Sequence, residues 1–215
     1  MEPFTLVIGN KNYSSWSMRP WLAMKQFKIP FEEIVIPLFE GDFKQNILQY
    51  SPSGKVPLLK HGRLQVWDSL AICEYLFEIF PEKQMWPKDP PKRARARSIS
   101  AEMHSSFMAL RTNCTMDVRT LNKKPKANPP ELQKDIDRII NIWEECRRNA
   151  KKEGDFLFGA FSIADAMYAP VVFRFRSYGP ELKGAAKDYS EAILNLPTVQ
   201  EWIAAVVKEP WTIHH

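Results

Sequence analysis

The apolar positions of this chain fall first into short β-branched runs separated by one helical pattern, and later into long stretches with helical spacing only. Phe4-Thr5-Leu6-Val7-Ile8 is short, rich in β-branched residues and closed by Gly9-Asn10, which reads as a buried strand. From Ser17 onward Trp21, Leu22, Met24 and Phe27 recur at helical intervals, and Pro20 is tolerated in a first turn. Glu33-Ile34-Val35-Ile36-Pro37 supplies a second strand, which must run parallel to the first because a helix intervenes.

Residues 39–50 are looser, with a turn at Gly41-Asp42 and a short helix expected over 43–49, before Ser51-Pro52-Ser53-Gly54 breaks the chain. A strand over 55–60, a turn at His61-Gly62 and a strand over 63–67 make a hairpin. Asp68-Ser69 then caps a helix in which Leu70, Ile72, Cys73, Tyr75, Leu76 and Ile79 repeat at helical spacing. The order βαβ followed by ββα is that of a thioredoxin-like half.

Pro81, Pro87, Pro90 and Pro91 stiffen residues 81–91 into a linker. Everything after it reads as helical. One long helix is expected over 94–116 and another over 131–152, the latter with Ile136, Ile139, Ile140 and Trp143 on one face. Residues 120–130 between them are polar and rich in Lys and Pro, as a surface connection would be. The best-marked helix start is Ser162-Ile163-Ala164-Asp165, a capping-box pattern that stabilises a helix start by about 1 kcal/mol. The expected architecture is an α/β thioredoxin-like N-terminal domain over residues 1–80, a linker over 81–91 and an all-α C-terminal domain over 92–215.

Composition narrows the class. With 215 residues and 45% hydrophobic content the chain can bury a substantial core. No apolar run is long enough to cross a bilayer and the first residues do not read as a signal peptide, so a cytoplasmic protein without membrane association is expected. The three cysteines, Cys73, Cys114 and Cys146, are widely spaced and form no Cys-x-x-Cys pair, which argues against a disulfide framework, a metal site and dithiol redox chemistry. Of four histidines, His214 and His215 end the chain, and no metal role is expected for them. The net charge of +5 and the basic run from Lys92 to Arg97 raise nucleic acid as a partner. That run falls at a helix start and lacks interleaved aromatics, so no nucleic-acid partner is expected.

The candidate chemistry lies at Asn12-Tyr13-Ser14-Ser15-Trp16-Ser17-Met18-Arg19, between the first strand and the first helix. A helix starting at Ser15 to Ser17 points unpaired N–H groups and the positive end of its dipole at whatever lies in front of it. Ser14 just ahead of it can either cap the helix or donate its hydroxyl to a bound thiolate and lower that thiol's pKa. Ser-Ser-Trp-Ser-x-Arg, together with Val56-Pro57, Asp68-Ser69 and the Ser162/Asp165 box in this order, resembles the signature of serine-type glutathione S-transferases of the zeta/theta-like group. Zeta-class chains read Ser-Ser-Cys-Ser where this one has Trp16.

The resemblance implies roles. Ser14 activates the glutathione thiol and Ser15 supports it; the Val56 backbone pairs with the cysteinyl unit beside a cis Pro57. Asp68 and Ser69 hold the γ-glutamyl end, and Lys55 either meets the glycyl carboxylate as a flexible point charge or is a solvated surface lysine. Glutathione is then a co-substrate, a small hydrophobic electrophile the second substrate, and a homodimer the expected assembly, built on the helix from Ala94 with Tyr75, Phe77 and Phe80 nearby. Ser162 and Asp165 are a folding element. Tyr13 competes with Ser14 as thiol activator, and Arg19 either faces the second substrate or braces the domain contact. His104 is expected to be a packed histidine, since no carboxylate partner is identifiable for it at helical spacing. Met103, Phe107, Met108 and Arg111 are candidates for the electrophile pocket. A glutathione-dependent isomerase resembling maleylacetoacetate isomerase, and a non-catalytic binding protein on the same fold, are the alternatives.

Overall fold

The structure is a computed structural model and describes residues 2–150 and 152–213; the terminal His214 and His215 lie outside the described residues. β1 (Phe4–Gly9), α1 (Ser15–Gln26) and β2 (Glu32–Ile36) form the opening βαβ unit, followed by a short α2 (Phe43–Leu48). The hairpin of β3 (Leu58–His61) and β4 (Leu64–Trp67) leads into α3 (Ser69–Ile79). The sheet order is β2-β1-β3-β4, with β1 and β2 parallel and the other pairs antiparallel. Val7 and Val66 lie in this one sheet, as expected. β3 begins at Leu58 rather than at residue 55, because Pro57 has no N–H to give to a ladder. The Val56–Pro57 peptide is cis.

The rest of the chain is helical: α4 (Pro90–Ser105), α5 (Met108–Asn113), α6 (Pro130–Ala150), α7 (Ile163–Tyr178), α8 (Gly184–Leu194) and α9 (Pro197–Lys208). α4 starts four residues before the expected Ala94, since Pro90 and Pro91 occupy the first turn, where a missing N–H costs nothing, and the Asp89 carboxylate accepts from Lys92 N–H. The single helix expected over 94–116 is broken. Ser106 is extended and Phe107 has a φ of 61°. Tertiary partners take up the groups that the break frees: Arg111 donates to the carbonyls of Met103 and His104, and Asp135 on α6 accepts from Leu110 N–H.

α7 is buried along nearly its whole length and packs on both α1 and α4, so one core runs through both halves of the chain. Its start is fixed by Asp165, whose Oδ2 accepts from Ser162 N–H at 2.8 Å and Ser162 Oγ at 2.9 Å, while Oδ1 accepts from Leu157 N–H at 3.0 Å. A smaller core of Val7, Ile36, Ile47 and Leu58 fills the α2 face of the sheet. Among the described residues no helix is long and apolar enough to cross a membrane.

The basic run at the start of α4 is absorbed internally. Lys92 pairs with Glu153, Arg95 with Glu145 and Arg97 with Glu74, while Arg93 donates to the carbonyls of Pro87 and Lys88.

Candidate active site

The turn between β1 and α1 is built from short polar side chains that satisfy one another. Ser14 is the N-cap of α1, its Oγ accepting from Ser17 N–H at 3.4 Å and donating to Ser17 Oγ at 2.7 Å. Ser17 Oγ also accepts from Gly9 N–H at 3.0 Å, which ties the helix start to the end of β1. Ser14 is buried, at 6% exposure. The far end of the chain clamps the same turn: the Glu209 carboxylate accepts from Lys11 N–H at 2.6 Å and Asn12 N–H at 3.0 Å. Tyr13 is drawn into this clamp, its hydroxyl accepting from Ile213 N–H at 3.2 Å.

In front of the turn lies a cleft of about 580 Å³. The N-terminal half supplies Lys55, Val56 and Pro57 from the approach to β3 and Asp68 and Ser69 from the start of α3. Trp16 and His104 close it from α1 and α4. Five of the residues expected to bind glutathione thus come together. Ser14 and Ser15 sit beside Trp16 at the base of α1 and are not in the cleft lining.

Asp68 holds a φ of 74° and caps α3, Oδ1 accepting from Leu70 N–H at 2.9 Å and from Ala71 N–H at 3.3 Å. Its Oδ2 is 2.6 Å from His104 Nε2, which corrects the expectation that His104 has no carboxylate partner. The pair spans 36 residues of sequence, and helical spacing carries no trace of it. Burial alone would push the Asp68 carboxyl up, but the bonds from His104 and from Ala71 and Leu70 hold it below its ordinary value. Ser69, next in sequence, is 1% exposed and its Oγ has no partner among the described residues.

Arg19 takes the domain-bracing role left open by the sequence: Nε donates to the Met167 carbonyl on α7 at 3.1 Å. It also stacks on Trp16, as does Arg111, and the edge of the His104 ring packs on the same indole. Arg174, which sequence reasoning did not single out, donates from Nη2 to Ser15 Oγ at 3.2 Å. Its signal was weak, one of two arginines near the end of α7, set between Phe173 and Phe175. Of the candidates for the electrophile pocket, Met103 and Phe107 are core residues, 1% and 5% exposed, and Met108 is exposed.

A second cleft of about 530 Å³ lies between the start of α4 and the end of α6. Its Lys92 and Arg95 are paired with Glu153 and Glu145. Among the described residues no cluster of three or more His, Cys, Asp or Glu side chains is placed to hold a metal ion.

The family comparisons agree with this geometry. The glutathione S-transferase N-terminal domain profile matches residues 13–79 and the C-terminal domain profile residues 129–205. The chain is 30% identical over 214 residues to glutathione S-transferase omega-1 of Mus musculus, across 97% of this chain and 79% of that protein. It is 32% identical over 163 residues to maleylacetoacetate isomerase of Rattus norvegicus, across 74% of this chain and 71% of that one. Among solved structures, a glutathione transferase homologue from Burkholderia strain BGR1 with bound glutathione superposes with a TM-score of 0.74 at 25% identity, covering 97% of this chain and 100% of that chain. With fold, cleft and sequence in agreement over both halves, this chain belongs to the glutathione S-transferase family.

Proposed function

We propose that this chain is a glutathione transferase that binds glutathione in the cleft between α1, β3 and α3 and directs its thiolate at a small hydrophobic electrophile. The observation that carries the reading is the Ser69 hydroxyl, buried at the N-terminus of α3 and without a partner among the described residues. A buried polar group left unpaired costs about 1–3 kcal/mol. An anionic ligand group at this helix end removes that cost and gains the favourable end of the helix dipole.

The γ-glutamyl carboxylate of glutathione suits Ser69, and its ammonium suits Asp68 Oδ2, the oxygen not committed to the α3 cap. The Val56 backbone faces the cysteinyl unit, and Lys55 lies on the same wall for the glycyl carboxylate. The thiol then points to the start of α1, where the Ser14 hydroxyl turns from Ser17 to the sulfur, and the proton passes to solvent. No general base is required. The thiolate attacks the electrophile, forming a carbon–sulfur bond as the leaving group departs or, with an activated double bond, adding to it.

The same reading divides the chain at residues 81–91 and places the protein in the cytoplasm as a homodimer. Leu64 on the edge strand β4 is about half exposed, which supports a surface covered by a second copy, whereas the equally exposed Trp67 lines the cleft.

The isomerase reading keeps the same thiolate but returns glutathione at the end of the cycle. The likeness to the rat maleylacetoacetate isomerase favours it. Assay of the purified protein with glutathione against an aryl halide, an organic peroxide and maleylacetone separates the two. A transferase consumes glutathione with the aryl halide, and an isomerase converts maleylacetone without consuming it. Absence of glutathione binding overturns both.

A further inference from the structure

Three guanidinium groups gather at the start of α1, behind the cleft wall, and among the described residues none is ion-paired with a carboxylate. Arg19 Cζ lies 4.2 Å and Arg111 Cζ 4.6 Å from the centre of the Trp16 ring, and Trp16 itself lines the cleft. Arg174 arrives from α7 and donates to Ser15 Oγ. Their hydrogen bonds go to neutral groups: the carbonyls of Met167, Cys114, Met103 and His104, and the Ser15 hydroxyl. Arg19 Nη1 and Arg111 Nε are buried with no partner among the described residues.

This arrangement is expensive. Arg19 and Arg174 are 2% and 8% exposed, and Arg111 repels both of them. Burial first, and that repulsion second, hold Arg19 down at about 9 and Arg174 at about 10. Two acids act on the group. Asp68 is spent on the α3 cap and His104, and Asp135 accepts from Leu110 N–H. An uncompensated buried charge destabilises a fold, so two guanidiniums on the Trp16 indole and a third on the neighbouring Ser15 call for an anion nearby that they serve.

We propose that Arg19, Arg111 and Arg174 form a positively charged cradle around the start of α1 that stabilises the thiolate of bound glutathione, in addition to the Ser14 hydrogen bond. The inference rests on the glutathione reading above. None of the three is required to touch sulfur. They act through space, in a region where water is largely excluded and charge–charge interactions are correspondingly strong. The groups that set the potential at the sulfur are then the α1 N-terminus and Ser14, the three arginines from α1, α5 and α7, Lys55 before β3, and the Asp68–His104 pair, with Asp135 on α6 behind Arg111. The thiol proton leaves to solvent.

The test is the pKa of the bound thiol, read from the ultraviolet absorbance of the thiolate as pH is varied. Arg111 is the first target because it is only half-buried and its loss is tolerable, and Arg174→Gln supplies a second variant on a different helix. Loss of one unit charge within roughly 10 Å at an effective dielectric near 20 raises the thiol pKa by on the order of one unit, a tenfold loss of thiolate at pH values below it. Arg111→Gln is expected to show this shift with its KM for glutathione unchanged, and Arg111→Lys, which keeps the charge, to restore the wild-type value. A wild-type thiol pKa in folded Arg111→Gln and Arg174→Gln overturns the proposal while leaving the glutathione site standing. No thiolate band even in the wild-type protein, with glutathione present in excess, overturns both.

Discussion

His104 Nε2 stands 2.6 Å from Asp68 Oδ2, joining the last turn of α4 to the residue that caps α3. The bond crosses from the helical half to the sheet-bearing half at the edge of the cleft. It settles how the Asp68 carboxylate is turned, with one oxygen on the α3 backbone and the other on His104.

Removal of His104 frees that second oxygen to rotate. His104→Ala is expected to raise the KM for glutathione about fivefold with little change in kcat, the loss expected of a partly exposed charge-assisted bond worth about 1 kcal/mol. His104→Gln retains a donor and should recover most of it. With glutathione lacking its γ-glutamyl amine the effect should vanish. An equal KM change for that analogue would show that His104 merely supports the fold.

Glu209 holds the turn ahead of Ser14 by accepting from two backbone N–H groups, those of Lys11 and Asn12. Glu209→Ala leaves two partly buried donors without a partner and is expected to cost about 1–3 kcal/mol of stability, together with faster hydrogen exchange at Lys11 and Asn12. Glu209→Gln should fall between. Unchanged exchange at those two amides would mean that the C-terminal segment does not hold the turn.

Asp165 gives a pH signature. Burial raises its carboxyl from an ordinary 3.8 to about 6, against the pull of its bonds from Leu157 and Ser162. A group whose pKa is raised by folding takes up a proton when the chain folds, so its contribution is fully present below about pH 4 and is lost as pH rises through about 6. A shift of about two units corresponds to roughly 3 kcal/mol. Denaturant unfolding of wild type and Asp165→Asn should show their stability difference shrinking by about that much between pH 4 and pH 7. A constant difference would mean that Asp165 folds with its ordinary pKa.

The order of elements along the chain and the starts of α3 and α7 were legible in sequence because they rest on local signals: β-branched runs and caps at Asp68 and Ser162. The break at Phe107 was not. Nothing in Met103-His104-Ser105-Ser106-Phe107 departs from helical spacing, and the kink is held open by Asp135 and Arg111 from outside it. The candidate site divides in the same way. Lys55, Val56, Asp68 and Ser69 follow from motifs, whereas the His104–Asp68 bond and the three arginines at Trp16 and Ser15 arise where α1, α4, α5 and α7 meet, and no spacing in one element announces them. Tyr13 was a rival to Ser14 on sequence alone; its hydroxyl is engaged by Ile213, on the side of the turn held by the C-terminal segment.

The most direct test of the account is the thiolate chemistry of Ser14→Ala. Loss of one charge-assisted hydrogen bond of roughly 1.5–3 kcal/mol predicts about a ten- to hundredfold fall in the rate of thiolate attack, with glutathione affinity nearly intact because the peptide is held at Val56, Asp68 and Ser69. Tyr13→Phe should leave both rate and thiolate absorbance near wild type. A Ser14→Ala protein that keeps the parental rate and the thiolate absorbance of bound glutathione, beside a Tyr13→Phe protein that loses both, would contradict the account.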